Sequence, residues 1–293
     1  MKRVLKTIIS LFMAVMMINP AVYAKDDVKM RSYTKESDNV YSTLVFIYVG
    51  DEVWMQTAEN VLYYDDFDLS GPEDAKEQIG SQLESTQAQY DAIDGTTYEL
   101  IYEDDYMMER IAVYYDEVDL KDMQGVDGFD SDGNVDADFV SMDKTDQMLQ
   151  DEGYEKGEEY TVRIFTSHEN HVDSTLMFFC DGDRVVMQTT ENVIMYDDID
   201  GVSNAQEAED VIGPQMEDYA AQYDGVDGVV YALTYEEDRV LESIEVNYDE
   251  IDMEDVQNIE GFNYEGSKDA TYISMKKTLS TLKSQGYKEF TDF

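Results

Sequence analysis

Two stretches of polar side chains, placed at matching positions in the two halves of the chain, are the residues best suited to bind a ligand. Each runs from Gln-Thr through Glu-Asn to Tyr-Asp-Asp, over residues 56–66 and again over residues 188–198. Such groups at a strand end and in the loop that follows can converge on a ligand. The alternative is structural, because Glu-Asn can form a turn and Asp-Asp favours the start of a helix. The candidate ligand-binding residues are Gln56, Glu59, Asn60, Tyr64, Asp65, Asp66, Gln188, Glu191, Asn192, Tyr196, Asp197 and Asp198.

An acidic loop at residues 130–138 invites comparison with a calcium site, because its aspartates stand at alternate positions. Placing Gly133 at the glycine position of an EF-hand loop puts Gly128 and Phe139 at its two ends. An EF-hand loop requires carboxylate ligands at both of those ends. The second half has residues 263–269 at this place, with a different pattern. We therefore expect a solvated acidic loop and no metal site.

The two histidines, His168 and His171, lie in the sequence H-E-N-H, three residues apart. A zinc protease needs H-E-x-x-H on a helix, with Glu as the base. The aligned residues 36–39 of the first half contain no histidine, which argues against a metal site shared by both halves. The sequence also has no G-x-S-x-G turn, phosphate loop or Cys-His pairing. We expect no catalytic residues, no cofactor and no enzymatic activity.

The charge of the chain is strongly negative. It has 20 basic and 67 acidic residues, a formal charge of −47. The first 24 residues hold three of the basic residues and no acidic ones, which leaves 17 basic residues and a charge of −50 for the remainder. Such a surface repels nucleic acid and anionic membranes. Basic proteins, cationic peptides, envelope polymers and divalent cations remain as compatible partners.

The N-terminus has the pattern of a secretory signal peptide over residues 1–24. Lys2, Arg3 and Lys6 form a basic start, a short apolar run follows, and Val22-Tyr23-Ala24 fits a cleavage site. The apolar run is shorter than the ~20 residues that span a bilayer. No cysteine directly follows that could accept a lipid. We expect a secreted, extracellular protein without stable membrane insertion.

The chain contains a duplicated domain. Residues 42–68 return at 174–200, an offset of 132, and residues 103–120 return at 236–253, an offset of 133. Repeats of this length are domains with their own core and not the shorter units of a solenoid. The expected domains are residues 25–156 and 157–293. The duplication also supplies a control, because a site used by both domains appears twice.

Each half has the same predicted order of elements, β-β-β-α-β-β-α. Alternating apolar residues indicate strands, and Gly50-Asp51 and Gly182-Asp183 fit tight hairpin turns. Ser70–Glu73 and Ser203–Gln206 fit the capping box of a first helix. Its expected apolar face is Ile79, Leu83 and Tyr90 in one copy, and Ala208, Ile212, Tyr219 and Tyr223 in the other. The last helix has Met148 and Leu149, or Leu279 and Leu282, as its apolar positions.

This order indicates an α+β fold, in which each domain is an antiparallel sheet with two helices packed on one face. Gly153 and Gly286 stand where the last helix ends and a left-handed residue is favoured. The single cysteine, Cys180, aligns with Tyr48 in a strand. We expect it to be a packed, inert thiol.

These segments resemble the YehR-like lipoprotein family, small exported bacterial domains of unknown function. The resemblance lies in the hairpins ending in GDEVWMQTAEN and GDRVVMQTTEN, in YYDEVDL and NYDEIDM, and in the terminal SMKKTLSTLKSQGYKE. Two tandem copies cover nearly all of the chain after the leader. The resemblance implies the fold and a cell-envelope context, and it brings no catalytic residues. The chain differs from the family by lacking the lipid-bearing cysteine, so the resemblance does not extend to membrane anchoring.

The expected function is that of a secreted, non-enzymatic binding protein of the bacterial envelope or exterior. Its ligand is a protein, cationic peptide or envelope polymer, held on the acidic surface or between the domains. The alternative is a calcium-responsive structural or interaction protein, in which cations relieve the repulsion among the many carboxylates.

Overall fold

The computed structural model describes residues 27–37, 39–126, 139–223, 225–251 and 272–290. The chain divides into two compact units, of which the first ends at Glu159 and the second begins at Tyr160. The predicted signal peptide, the acidic loop at 130–138 and its counterpart at 263–269 lie outside the described residues.

The first unit contains an antiparallel sheet of five main strands and a short sixth one. The order across the sheet is β1-β2-β3-β5-β4, and β6 pairs with β3. The strands are β1 Val28–Ser37, β2 Val40–Val49, β3 Glu52–Tyr63, β4 Thr96–Tyr102, β5 Tyr106–Tyr114 and β6 Val140–Ser141.

Two helical segments accompany this sheet. A single 3-10 turn, Tyr64–Phe67, leads from β3 towards the first of them. That first segment is α-helical at both ends and contains one π-helical turn, Lys76–Gly80. The α-helices are α1 Pro72–Ala75, α2 Ser81–Tyr90 and, before the end of the unit, α3 Met142–Asp151.

The second unit repeats this plan, with a 3-10 turn at Tyr196–Asp198. Its sheet order is β13-β7-β8-β9-β11-β10, with β12 paired to β9. Strand β7, Glu155–Glu169, begins before the boundary and continues into this unit. The other elements are β8 Val172–Asp181, β9 Arg184–Met195, α4 Ala205–Ala220, β10 Val229–Tyr235, β11 Arg239–Asn247, β12 Ile273–Ser274, α5 Met275–Ser284 and β13 Lys288–Glu289.

The last helix of each unit packs on the alternating apolar residues of the sheet. In the first unit, Met142 and Leu149 of α3 lie against Phe46 of β2 and its buried neighbours. In the second unit, Met275 and Leu282 of α5 take the same places. Burial of each such side chain contributes about 1.5–3 kcal/mol. Cys180 lies in this second core, and burial raises the pKa of its thiol to about 11, as expected for an inert thiol.

The first helical segment of each unit lies against the other end of the same sheet face. Tyr90 at the end of α2 stacks on Tyr98 of β4, with ring centroids 5.5 Å apart. Ile79 and Leu83 pack around Tyr64 and Met107. The expected helix faces are therefore confirmed in the first unit, and those of α4 are confirmed by the equivalent clusters: Ala208 and Ile212 in one, Tyr219 and Tyr223 in another.

The α+β fold and the order β-β-β-α-β-β-α are confirmed, with three short strands added. One side-chain prediction is wrong: Met148 of α3 is exposed. The buried positions of that helix, Met142 and Leu149, are seven residues apart and therefore share a face. Met148 precedes Leu149 by one residue and points away from the sheet.

The helix caps also differ from the predicted capping boxes. The backbone N–H and hydroxyl of Ser70 donate to Asp74 at 3.0 and 3.2 Å. Those of Ser203 donate to Glu207 at 2.8 and 2.7 Å. The acceptor is thus four residues after the serine, because Gly71 and Asn204 occupy the N-cap positions.

The aspartate of each Gly-Asp hairpin turn caps the start of the last helix, which the sequence alone did not indicate. Gly50 has a φ of 60°, as expected for the first central residue of such a turn. The next residue, Asp51, accepts hydrogen bonds from the Ser141 hydroxyl at 2.8 Å and the Asp143 N–H at 2.7 Å. Asp183 does the same for Ser274 and the Lys276 N–H. The turn between β2 and β3, or between β8 and β9, therefore holds the start of the last helix.

Candidate functional site

The predicted site residues on strand β3 fall on opposite faces of the sheet, because side chains alternate along a strand. Asn60 lies between Ser42 of β2 and Glu109 of β5, on the face that carries the helices. Glu59 lies between Thr43 and Arg110 on the other face. The predicted residues therefore do not converge on one ligand.

Asn60 instead belongs to a chain of hydrogen bonds that crosses four strands. The Ser42 hydroxyl donates to Asn60 Oδ1 at 2.7 Å, and Asn60 Nδ2 donates to Glu109 Oε2 at 2.6 Å. The Tyr98 hydroxyl donates to the other carboxylate oxygen of Glu109. We call these four residues the first polar row.

The second unit contains the same arrangement. The Ser174 hydroxyl donates to Asn192 Oδ1 at 2.6 Å, and Asn192 Nδ2 donates to Glu242 Oε2 at 2.6 Å. The Tyr231 hydroxyl donates to Glu242 Oε1 at 2.9 Å. These four residues are the second polar row, and each aligns with its counterpart at the repeat offset.

A helix tyrosine holds the tyrosine of each row in place. Tyr90 stacks on Tyr98 with 27° between the rings, and Tyr223 stacks on Tyr231 with 14° between them. Burial raises the pKa of Tyr98 well above its usual range, and the hydrogen bond to Glu109 raises it further. Burial and the charge of Glu242 do the same for Tyr231. Both phenols therefore remain protonated donors near neutral pH.

The carboxylate of each row receives hydrogen bonds from neutral groups. Glu109 is half-buried, and Glu242 is only 6% exposed. Among the described residues, neither carboxylate has a lysine, arginine or histidine nitrogen within 4.0 Å. A desolvated charge without an opposite charge is costly. A carboxylate has about four acceptor positions, so each still has capacity for a cationic donor.

Gln56 and Gln188 lie on the same face of the sheet as the polar rows, and each accepts a hydrogen bond from a tyrosine of the core. The Tyr115 hydroxyl donates to Gln56 Oε1 at 2.8 Å, and the Tyr248 hydroxyl donates to Gln188 Oε1 at 2.9 Å. These contacts do not include the row carboxylates.

Glu59 and Glu191, on the opposite face, differ between the units. Glu59 is 1% exposed and lies 3.4 Å from Arg110 Nε. Ser243 takes the position of that arginine in the second unit. Burial, and then the charge of Glu236, raise the pKa of Glu191 to about 7, against the opposing effect of Arg239.

The Tyr-Asp-Asp segments form the 3-10 turns after β3 and β9. Tyr64 is buried, whereas Asp65 and Asp66 are exposed. The Asn39 side chain donates to the Asp66 carbonyl at 2.9 Å, so this turn is tied to the β1–β2 hairpin.

The second unit ties the equivalent turn differently. The Tyr196 hydroxyl donates to the Glu236 carbonyl at 2.7 Å, and His171 Nδ1 lies 2.9 Å from Asp198 Oδ1. Asp197 is exposed. Of the twelve predicted residues, only Asn60 and Asn192 belong to the polar rows.

Sequence reasoning missed three members of each row. These residues are identical in the two copies, which is the signal that would have identified them. They are Ser42, Tyr98 and Glu109 in the first unit and Ser174, Tyr231 and Glu242 in the second.

The histidines do not share a ligand position. His168 Nδ1 lies 2.7 Å from Asp173 Oδ1, whereas His171 contacts Asp198. Within the described ranges, no three or more His, Cys, Asp or Glu side chains are grouped as a metal site requires. In the same part of the chain, no helix combines the length and apolar character needed to cross a membrane.

Comparison with known proteins identifies relatives of single-domain length. An uncharacterized lipoprotein of Listeria monocytogenes is 33% identical over 133 residues, which cover 45% of this chain and 83% of that protein. The uncharacterized lipoprotein YehR of Escherichia coli is 24% identical over 133 residues, or 45% of this chain and 84% of that protein. The NMR structure of the E. coli YehR protein matches at 21% identity with a TM-score of 0.39, covering 46% of this chain and 93% of that one.

These relatives overturn the prediction of free secretion without lipid attachment. Proteins named lipoproteins are lipid-anchored at the cell surface, and the relatives from both Listeria species and from E. coli carry that name. The prediction rested on the signal-peptide pattern, the short apolar run and the absence of a cysteine after the cleavage site. The relatives are consistent with an envelope-associated protein of unknown function.

A family model matches the chain twice, over residues 29–155 and residues 161–288. The two matches lie one after the other and include both polar rows. The chain therefore belongs, as two tandem copies, to the family described as "Protein of unknown function (DUF1307)", and the predicted YehR-like resemblance is confirmed.

Proposed function

We propose that the protein is a non-enzymatic binding protein of the bacterial envelope, and that each polar row receives a cationic group of its ligand. Basic proteins, cationic peptides and amine-bearing envelope polymers supply such groups. The observation that carries the proposal is the duplicated carboxylate, Glu109 or Glu242, held by an asparagine amide and a tyrosine hydroxyl.

The chemistry of the rows favours binding a charge over transferring protons. Each carboxylate is oriented by two neutral donors, and the raised pKa values of Tyr98 and Tyr231 keep those phenols protonated. An ammonium or guanidinium group donates charge-assisted hydrogen bonds to a carboxylate, and these are stronger than neutral ones. It also relieves the cost of the desolvated negative charge.

Isothermal titration calorimetry with a tri-lysine peptide tests this proposal. Glu109→Gln and Glu242→Gln keep the side-chain shape and remove the charge. Each is expected to weaken binding at its own row roughly 10- to 150-fold, since a hydrogen bond to a charged group contributes about 1.5–3 kcal/mol. The double variant is expected to lose binding.

The control is Asp65→Asn, which removes one negative charge from an exposed turn residue. It is expected to bind like the wild-type protein. If all three single variants lose affinity equally, only the overall charge attracts the peptide. If both row variants bind like the wild type, the rows are not the site.

A further inference from the structure

The last helices of the two units, α3 and α5, are equivalent in their buried contacts. Both start at a serine that accepts a hydrogen bond from the backbone N–H three residues later, at 3.3 Å for Ser141 and 3.4 Å for Ser274. Asp51 and Asp183 clamp the two starts in the same way. The two helices are therefore capped and packed in the same way.

Their exposed faces carry opposite charge. The segment 139–157, which contains α3, has five acidic and two basic residues. The equivalent segment 272–290, which contains α5, has four lysines and a single acidic residue, Glu289. Glu289 is occupied by Arg163, whose Nε lies 2.7 Å from Oε1. A local charge of +3 in a chain of net charge −47 is a basic surface within an acidic protein.

Folding does not explain the two lysines of the first turn, whereas the helix dipole favours Lys283 in the last turn. Lys276 and Lys277 lie in the first turn of α5, where the helix dipole disfavours positive charge. Asp143 takes the place of Lys276 in α3. Lys276, Lys277 and Lys283 are all exposed, and none has an ion pair among the described residues.

Among the described residues, Asp183 is an acidic group that lies beside the two first-turn lysines. Hydrogen bonds from the Lys276 N–H and the Ser274 hydroxyl lower the pKa of Asp183, and the charges of Lys276 and Lys277 lower it further. Its oxygens are engaged by the helix start at 2.8 and 2.9 Å. Asp183 adds one negative charge, and the four lysines of segment 272–290 still outnumber the two acidic groups, Asp183 and Glu289.

The spacing of the lysines suits an extended anion. Lys276 and Lys283 are seven residues apart, so they lie on one stripe about 10 Å apart along the axis. Lys277 lies on the adjacent stripe, and Lys288 follows after the helix end. A small anion contacts only one of these positions, whereas a linear chain of anionic groups contacts several.

The acidic remainder of the surface also favours a narrow partner. At physiological salt, charges more than about 8 Å away are largely screened. A strand that lies along α5 therefore experiences the local positive charge. A flat anionic membrane has a wide area of contact, so it also approaches the acidic remainder of the protein surface, which repels it.

We propose that α5 binds a linear phosphate-bearing polymer through Lys276, Lys277 and Lys283. Lysine ammonium groups bind phosphate as compact point charges. This site is separate from the polar rows and does not depend on the function proposed for them.

Fluorescence anisotropy with labelled inorganic polyphosphate tests this inference on the full chain. The triple variant Lys276→Gln, Lys277→Gln, Lys283→Gln is expected to lose affinity at least about tenfold, with salt-sensitive binding in the wild type. Lys277→Gln alone is expected to weaken binding, whereas Lys144→Gln, at the equivalent position of α3, is expected to leave it unchanged. The thermal midpoint of each variant verifies folding, because all four side chains are exposed.

Several results would overturn the inference. One is a triple variant that binds polyphosphate as tightly as the wild type. Another is an equal loss of affinity in Lys277→Gln and Lys144→Gln. A wild-type protein that ignores polyphosphate but pellets with vesicles of anionic lipid would make the face a membrane contact. One that ignores polyphosphate but self-associates in sedimentation would make it a contact with the acidic surface of a second copy.

Discussion

Two aligned glutamates show how one nearby side chain changes the chemistry of a buried carboxylate. Glu59 has Arg110 beside it on the neighbouring strand, 3.4 Å away. Glu191 has Ser243 at the corresponding place, and burial raises its pKa to about 7. The carboxylate at this position is therefore ion-paired in the first unit. In the second unit, its negative charge destabilises the folded state.

Glu191→Gln is expected to stabilise the protein at pH 8. The folded-state pKa lies above the ordinary value of 4.5, so between about pH 4.5 and pH 7 the folded state holds a proton that the unfolded state has released. At pH 8 both states are ionised, and the folded state carries the cost of the buried charge. The stabilising contribution of that proton is complete below about pH 4.5 and is lost as the pH rises through 7. The gain from the variant at pH 8 is on the order of 1–3 kcal/mol.

Urea unfolding of the wild type and the variant at pH 5 and pH 8 measures this difference. The stability gain is expected to be larger at pH 8 than at pH 5. Glu59→Gln is the matched control. It is expected to lose stability because Arg110 loses its buried partner and keeps only the exposed Glu99, 3.5 Å from its Nη1. A Glu191→Gln variant less stable than the wild type at pH 8 would show that Glu191 is a favourable charge.

The residues of the polar rows were only partly predictable from sequence. Alternation along β3 assigns Asn60 and Glu59 to opposite faces, and the duplication marks Asn60 as shared. The partner of Asn60 is Glu109, which is 49 residues away in the chain. The alternating pattern of β5 does not reveal that it lies beside β3, so the hydrogen bonds become visible only with the strand order.

At the scale of elements, one glycine controls how β4 follows the first helical segment. Gly95 has a φ of 80°, and its carbonyl accepts a hydrogen bond from the Tyr114 N–H at 2.8 Å. A Cβ at this position would lie 2.7 Å from the Cβ of Glu117 and 2.9 Å from Cγ2 of Val118. Both the backbone conformation and the close approach therefore require glycine.

Gly95→Ala is expected to destabilise the first unit by more than the backbone strain alone, which is on the order of 1–3 kcal/mol. Gly125→Ala is the matched control. Gly125 has a similar φ of 84°, but a Cβ there meets nothing within 4 Å. Thermal unfolding compares the two variants, and equal losses would show that the segment of Glu117 and Val118 moves aside without cost.

The elements themselves were largely predictable, because strands with alternating apolar residues and a terminal glycine have clear sequence patterns. Gly153 has a φ of 89° after α3, as its position suggested. The cap by Asp51 was not predictable, because the two residues it joins, Asp51 and Asp143, are 92 residues apart. Its repetition at Asp183 shows that the hairpin and the last helix form one structural unit.

At the scale of the whole molecule, repulsion among the carboxylates opposes the folded state. Added salt screens this repulsion, so the thermal midpoint is expected to rise with ionic strength. Under the binding account, sodium and calcium at matched ionic strength raise it equally. A shift specific to calcium would mean selective binding to the native state, and would favour the calcium-responsive alternative.

Cationic groups that bind at the polar rows will change the NMR signals of the asparagine side chains there. Tri-lysine is titrated into the labelled protein while the side-chain amide signals of Asn60 and Asn192 are followed. Both signals are expected to shift saturably, because these amides donate to the row carboxylates, while that of Asn39 in the β1–β2 hairpin stays in place. Unchanged Asn60 and Asn192 signals at a peptide concentration that saturates calorimetric binding would contradict the account.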